Sequence, residues 1–296
     1  MDPNIARIKD YNIKYLERIN NKTKKFNGPL PSIVEFNLHG SCSRSCAFCP
    51  RVDAKKFPNL NEEFSLKLFE KIIHELKELD YEGRIGWSGY SEPLMHSDIN
   101  NLIKITKKNL PKCTLDIVSN GDFLDQNIIS NLFKNGLDHL RVSIYTNQKT
   151  TDKFKKIREN LKISPEFYFI RERNKGKKNE FGLQLNNRGG AVDLKKIGIK
   201  KDKNFPLKKK CNFPLFKIFI DYTGEYQICS NDWNKKKIIG NAFKQTITEV
   251  WYGEEFMKIR KNLMDKNRNM DPCKTCDVEG DLNGNEFYDE WKKINI

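Results

Sequence analysis

Residues 33–50 read Ile-Val-Glu-Phe-Asn-Leu-His-Gly-Ser-Cys-Ser-Arg-Ser-Cys-Ala-Phe-Cys-Pro. The first seven, Ile33–His39, alternate and predict a strand, with Val34, Phe36 and Leu38 on one face and Glu35, Asn37 and His39 on the other. Three cysteines follow at once, Cys42, Cys46 and Cys49, spaced C-x3-C-x2-C in a short loop. An iron–sulfur cubane needs thiolates at the corners of a tetrahedron. A loop of this length can wrap around three of them and leave one iron open to a small molecule. Zinc is the alternative, but structural zinc takes four ligands, and His39 sits on the strand, where it makes a poor fourth.

Outward from this point the chain alternates strands and helices. The first 26 residues carry Ile5, Ile8, Ile13, Leu16 and Ile19 among charges and predict an amphipathic helix over 3–26, ended by Gly28 and the Pro29–Pro31 segment. Asn61 is the expected cap of a helix running to about Leu79, with Phe64, Leu66, Leu68, Phe69, Ile72, Ile73 and Leu76 on its buried side. Strands are expected at Arg84–Ser88, Thr114–Ser119, Leu140–Ile144, Phe167–Ile170 and Phe181–Leu185. Helices are expected at Asp98–Leu110, Gln126–Lys134 and Thr151–Leu161. Six strands alternating with helices imply an α/β fold with a parallel sheet, open or closed into a barrel, whose site lies at the carboxyl ends of the strands.

The alternation stops near residue 190. A lysine-rich connector follows, and then Leu215–Ile220 and Glu225–Cys229 flank Asp221-Tyr222-Thr223-Gly224, a hairpin signal. Thr248 is the expected cap of a helix running to about Met264, and a short helix is expected near Glu286–Lys293. The organisation read from this is an N-terminal helical extension over 1–32, an α/β unit over 33–195 and a smaller C-terminal unit over 196–296.

The chain has 296 residues, 31% of them charged, and a net charge of +15. Clusters such as Lys208–Lys210 and Lys235–Lys237 are short and scattered through a Lys-, Asn- and Ile-rich sequence, so nucleic acid is not the expected partner. No apolar run reaches the ~18–20 residues of a membrane span. The N-terminal stretch has neither an apolar core nor a small-residue cleavage site, so the expected compartment is the cytoplasm. Eight cysteines in such a chain point to metal or redox chemistry rather than disulfides. Cys113, alone at a strand start, reads as a small buried residue.

Four of the remaining cysteines form a second group. Cys211 and Cys229 bracket the hairpin as C-x12-G-x4-C, and Cys273 and Cys276 form C-x2-C. Four thiolates suit zinc or an iron–sulfur cluster alike. Two more features stand near the strand ends. Glu35 faces the interior and needs a partner or a polar ligand, an interior arginine being the other reading. Asn186-Asn187-Arg188-Gly189-Gly190 follows the sixth expected strand, its glycines allowing a tight turn that delivers Arg188 to the carboxyl end.

The C-x3-C-x2-C loop, with Phe48 before its last cysteine and a strand before it, resembles the radical S-adenosylmethionine (SAM) family. The resemblance implies a partial (β/α)6 barrel, a 4Fe–4S cluster on Cys42, Cys46 and Cys49, and cleavage of SAM to a 5′-deoxyadenosyl radical. Trp87-Ser88-Gly89-Tyr90-Ser91-Glu92-Pro93 is similar to the family's Gly-Gly-Glu-Pro segment, with Tyr90 and Ser91 as departures; the resemblance implies SAM contacts at Gly89 and Glu92. Ser119-Asn120-Gly121 resembles the Thr-Asn-Gly motif after the third strand. Ser143 falls on the fourth, and Phe48 is expected to meet the adenine through its backbone.

C-x12-G-x4-C resembles the opening of the SPASM auxiliary-cluster domain, and the absence of cysteines after Cys276 matches its shorter, α+β "twitch" form. That implies a second 4Fe–4S cluster on Cys211, Cys229, Cys273 and Cys276, saturated by thiolates and so an electron relay. The spacing is similar to that of cyclitol-oxidising dehydrogenases of the family. This favours two-electron oxidation of a small polyol, aminocyclitol or sugar, with Arg188, Glu35 and Tyr90 as candidate catalytic residues and a flavodoxin or ferredoxin as the low-potential electron donor. A peptide-modifying maturase, a redox-neutral sugar epimerase or dehydratase and a basic iron–sulfur RNA-binding protein are the alternatives.

Overall fold

The structure, a computed structural model, describes residues 3–19, 28–173, 185–199 and 203–294. Its centre is one eight-stranded sheet. Strands β1 (Ile33–Phe36), β2 (Arg84–Trp87), β3 (Thr114–Ser119), β4 (His139–Ile144) and β5 (Tyr168–Glu172) lie side by side in chain order, all parallel. On the other edge of β1 lies β6 (Lys217–Ile220), also parallel, followed by antiparallel β7 (Glu225–Gln227) and β8 (Ile238–Asn241).

Residues 217–220 therefore belong to the same sheet as the strand–helix array instead of forming a hairpin apart from it. The reason is in their composition. Ile218, Phe219 and Ile220 are an uninterrupted apolar run, buried on both faces as an inner parallel strand requires. The hairpin after β6 forms as expected, with Gly224 left-handed at φ +78° and its amide donating to the Asp221 carbonyl. Of the expected strand at 181–185, residues 181–184 lie outside the described residues and Leu185 is not in a strand.

Helices α1 (Pro3–Ile19), α2 (Leu66–Glu78), α3 (Ile99–Asn109), α4 (Gln126–Lys134) and α5 (Gln148–Asn160) are the earlier helices, and α6 is the single turn Phe213–Phe216. Leu68, Phe69, Ile72, Ile73 and Leu76 of α2 recur at i, i+3/i+4 spacing and are all buried. The cap is Ser65, not Asn61, because residues 61–64 run extended, with a bridge from Glu63 to His39. Part of the expected 3–26 helix, residues 20–26, lies outside the described residues.

The single helix expected from Thr248 to Met264 is two helices, α7 (Ile247–Trp251) and α8 (Glu254–Met264). Thr246, not Thr248, caps α7 in a capping box with Glu249, and Gly253, extended at φ −61° and ψ 145°, breaks the run and restarts it. A last helix, α9 (Asn285–Lys293), packs against α1 and α6.

The outward side chains of β1 and β2, such as Val34, Phe36, Ile85 and Trp87, are buried in the main core with α2 and α3. The opposite set, Glu35 on β1, Asn37 just after it, Ser88 after β2, Asp116 on β3, and Arg141 and Ser143 on β4, gives the barrel a polar interior. Asp116 braces the floor, 3.6 Å from Arg84 and 2.5 Å from Arg141, and the Tyr11 ring of α1 lies 4.5 Å from the Arg84 guanidinium carbon. No helix among the described residues is long and apolar enough to cross a membrane.

Candidate active site

At the carboxyl ends of the strands a cavity of about 400 Å³ is lined by Cys42, Cys46 and Cys49 together. The loop that carries them is held by Arg51, two residues beyond the last cysteine. Its buried guanidinium donates to the carbonyls of Tyr90 (2.6 Å), Gly40 (2.9 Å) and Pro58 (3.2 Å) and to the Asn59 side chain (2.9 Å), and it lies 5.9 Å from the Trp233 ring. Asn59 in turn accepts from the Cys42 amide and donates to the Cys42 carbonyl. Arg51 does not stand out in the sequence; its one local signal is its position next to Cys49-Pro50.

Every cofactor-side residue singled out in the sequence reaches this cavity. Gly89, Glu92, Ser119, Asn120 and Ser143 line it, as does Phe48. Glu92 is 2% exposed and fastened from both oxygens: Oε2 accepts from the Asn120 amide at 2.7 Å and Oε1 from the Leu94 amide at 3.2 Å. Burial outweighs those bonds and pushes its pKa up to about 7. Ser91, one of the two departures in this segment, donates to Asn37 at 2.6 Å. Ser119 Oγ accepts from the Gly121 amide, and Asn120 Nδ2 lies 3.6 Å from Cys42 Sγ. The Phe48 ring packs 5.6 Å from that of Tyr145, another residue lining the cavity.

The three candidate catalytic residues also line the cavity, each in a different state. Glu35 is ion-paired to Lys217 of β6 at 2.6 Å and accepts from Ser88. Burial alone would raise its pKa; the Lys217 charge and hydrogen bond and the Ser88 hydroxyl hold it below the usual carboxylate range. The partner is a lysine rather than an arginine, invisible in sequence because 182 residues separate the pair. Tyr90 is 6% exposed, packed against Phe219 and Trp233, and its hydroxyl donates to Gln227 at 2.6 Å. Arg188 is left-handed at φ +49°, its amide donating to its neighbour Asn186.

The other four cysteines meet at a second, smaller cavity. Cys211, Cys229, Cys273 and Cys276 line it with Gly189 and Arg268. Arg268 donates to the carbonyls of Lys209, Lys210 and Val278, so it shapes the backbone around Cys211 and Cys276. A Cβ at Gly280 would stand 2.1 Å from Cys211 Sγ, so only glycine lets that thiol take its place. Cys113 is apart, buried in the main core.

These donor sets fit iron–sulfur clusters. Burial raises all seven thiols, Cys46 and Cys276 to about 11. Thiols so placed ionise only for a cation that compensates the lost solvation. Among the described residues no three His, Cys, Asp or Glu side chains converge on a single-ion site. The thiols line two cavities instead, three around one and four around the other.

Comparison with known proteins agrees with this division. Residues 36–169 match the radical SAM superfamily, and residues 211–277 match SPASM, an iron–sulfur cluster-binding domain. The S-adenosyl-L-methionine-dependent 2-deoxy-scyllo-inosamine dehydrogenase of Niallia circulans is 26% identical over 250 residues, which is 83% of this chain and 92% of that protein. A crystal structure of BtrN in complex with AdoMet and 2-DOIA superposes with a TM-score of 0.72 at 25% identity, covering 85% of this chain and 94% of that one. Native anSMEcpe with bound AdoMet shares the fold alone, at a TM-score of 0.51 and 12% identity over 88% of this chain and 96% of its own. SAM and iron–sulfur clusters are the cofactors that these domains carry.

Proposed function

We propose that this chain, a radical SAM enzyme with a C-terminal SPASM domain, is a dehydrogenase that removes two electrons from an alcohol carbon of a small polyol, aminocyclitol or sugar. The observation that carries the reading is the position of Arg188 and Gly189. Arg188 lines the cavity of Cys42, Cys46 and Cys49, and the next residue lines the cavity of the other four thiols. A substrate held against Arg188 is one residue's breadth from the wall of the second site.

Cys42, Cys46 and Cys49 would hold the SAM-cleaving cluster, and Cys211, Cys229, Cys273 and Cys276 the second. When bound, these groups supply a hydrogen-abstracting radical on one side and an electron acceptor on the other. The protein's part is positioning and charge. Glu92, fixed by two backbone amides, is a carboxylate aimed at the SAM ammonium, and Ser119, Asn120 and Ser143 stand beside it as polar contacts. The Glu35–Lys217 pair presents an oriented carboxylate for a substrate hydroxyl. Arg188 brings a fixed positive charge to the hydroxyl whose proton must leave. The substrate would thus lose a hydrogen atom from carbon, a proton from oxygen to solvent and, where Cys211, Cys229, Cys273 and Cys276 hold an electron acceptor, one electron, so that an alcohol becomes a ketone. The low-potential electron for SAM cleavage comes from a flavodoxin or ferredoxin, whose acidic surface suits a chain of net charge +15.

The test is mass balance with candidate polyols on anaerobically reconstituted protein. Each turnover consumes one SAM, releases one 5′-deoxyadenosine and yields a product two hydrogens lighter. A product of unchanged mass with solvent deuterium at the abstracted carbon would make the enzyme an epimerase; a crosslinked peptide would move it to the maturases.

A further inference from the structure

Five arginines are buried among the described residues: Arg51, Arg84, Arg141, Arg260 and Arg268. A guanidinium taken out of water needs a counter-charge or a substitute for one. Arg84 and Arg141 share the Asp116 carboxylate. Arg260 lies 3.9 Å from the Trp251 ring, 4.1 Å from Phe256 and 4.4 Å from Trp291, whose faces attract a cation. Arg51 faces the Trp233 ring and lines the cavity of the first cysteine group.

Arg268 has neither kind of partner. It is 2% exposed, pairs with no described carboxylate and faces no described ring. Its fork donates to three backbone carbonyls, Lys209 at 2.8 Å, Lys210 at 2.9 Å and Val278 at 2.8 Å. Those carbonyls fix its plane and carry no charge. What they fix it against is the cavity of the four thiols, which Arg268 lines. Its charge stands within electrostatic reach of Cys211, Cys273 and Cys276. Lys217 reaches Cys211 and Cys229, but it is already paired to Glu35 at 2.6 Å. Asp281 and Asp277 act in the opposite sense, on Cys211 and Cys276.

A cubane held by four thiolates is an anion, and an added electron makes it more so. A fixed cation at its edge in a dry site favours the reduced form and raises the reduction potential. We infer that Arg268 poises the second cluster as an electron acceptor, the cluster being the counter-charge of its buried guanidinium. This deepens the proposed dehydrogenase reading and rests on it. Arg268 does not line the cavity of Cys42, Cys46 and Cys49, so it acts on the substrate radical only through the cluster that oxidises it.

The experiment uses the full chain with Cys42→Ala, Cys46→Ala and Cys49→Ala, reconstituted with iron and sulfide, so that the second cysteine group alone carries a cluster. Its midpoint potential is measured by mediated titration with dithionite, followed by electron paramagnetic resonance. R268Q should lower the potential by at least about 59 mV, a tenfold smaller constant for one-electron reduction. R268K, which keeps the charge and gives up the fork, should stay close to the parent. Iron and sulfide content and circular dichroism verify assembly and folding. An assembled R268Q cluster with an unchanged potential overturns the inference. So does an R268K potential displaced as far as that of R268Q, which would assign the effect to hydrogen bonds instead of charge. If R268Q does not assemble, R268K decides: a parent-like potential supports the inference and a displaced one overturns it. If neither variant assembles while the chain still folds, Arg268 serves the backbone alone and the inference fails. Zinc in place of iron in the parent protein would overturn the electron-acceptor reading itself, whereas a redox-active cluster indifferent to Arg268 overturns only this inference.

Discussion

Asn187 and Asp277 exchange hydrogen bonds across the two cavities. The Asn187 amide donates to the Asp277 carboxylate at 2.8 Å and the Asp277 amide donates to the Asn187 side chain at 3.2 Å. Asn187 Nδ2 adds a bond to the Thr275 carbonyl at 2.7 Å, and Thr275 Oγ1 reaches the Gly189 carbonyl at 3.2 Å. The turn that presents Arg188 is thereby fastened to the turn that presents Cys273 and Cys276. Asn187→Ala should cost about 1–3 kcal/mol of stability by leaving these groups unpaired. SAM cleavage should persist while product formation falls. Equal loss of both, followed as 5′-deoxyadenosine and product in one assay, would show that the lock does not serve the second site.

Glu92 gives a pH dependence with a definite sign. Its folded pKa lies near 7, above the ordinary 4.5, so between those values the folded protein binds a proton that the unfolded chain has released. Its contribution to the stability of the SAM-free protein therefore falls as pH rises from about 4.5 to 7. An ammonium beside it reverses the preference. SAM binding should expel that proton, strengthen up to about pH 7 and then level off. One unit below, affinity should be roughly tenfold weaker. Glu92→Gln should bind SAM more weakly and without this slope; a slope that survives in the variant would place the titration elsewhere.

Breaking the Glu35–Lys217 pair should be costly because it leaves a charge in the barrel. Lys217→Met should destabilise by about 3–5 kcal/mol, and the double variant Lys217→Met with Glu35→Gln should recover part of the loss. The present pair stabilises above the unfolded carboxylate pKa, and that stability is lost as pH falls through the lowered folded value. Denaturant midpoints of the wild type and these two variants between pH 4 and 8 measure both effects.

Metal content separates the two cysteine groups. Reconstituted protein should hold about eight irons, four per cubane. Alanine at Cys42, Cys46 and Cys49 should leave about four and abolish SAM cleavage. Alanine at Cys273 and Cys276 should keep cleavage and lose product. Stoichiometric zinc at the second group after anaerobic purification would remove the electron acceptor from the mechanism.

Arg51 makes the cysteine loop depend on one buried guanidinium. Arg51→Ala removes the donor that the carbonyls of Pro58 and Tyr90 use and one of the two that the Gly40 carbonyl uses, the Leu60 amide being the other. Stability should drop by about 2–4 kcal/mol, in line with the unsatisfied buried acceptors. The first cluster should be lost faster than the second on exposure to chelator. Iron release followed by absorbance, with equal rates for both clusters as the contrary outcome, decides it.

Local chemistry makes much of this protein legible in its sequence alone. The spacing of Cys42, Cys46 and Cys49 names one donor set because ligands that share a loop are close whatever the rest does; Cys211 and Cys229 meet Cys273 and Cys276 only in the folded chain. The strand–helix alternation from Ile33 to Ile170 announces a parallel sheet because period and length are properties of short segments. The Thr246–Glu249 box and Gly253 are equally local signals: the first starts α7 and the second divides it from α8. What the sequence could not contain was pairing between distant segments. That β6 lies along β1, that Lys217 neutralises Glu35, that Asn187 locks onto Asp277, and that Arg268 lines the cavity of the second cysteine group all depend on which segments come together. Those choices are made by the burial of whole faces, such as the apolar run Ile218–Ile220 against β1, and only the folded chain brings the charges to the distances at which they act.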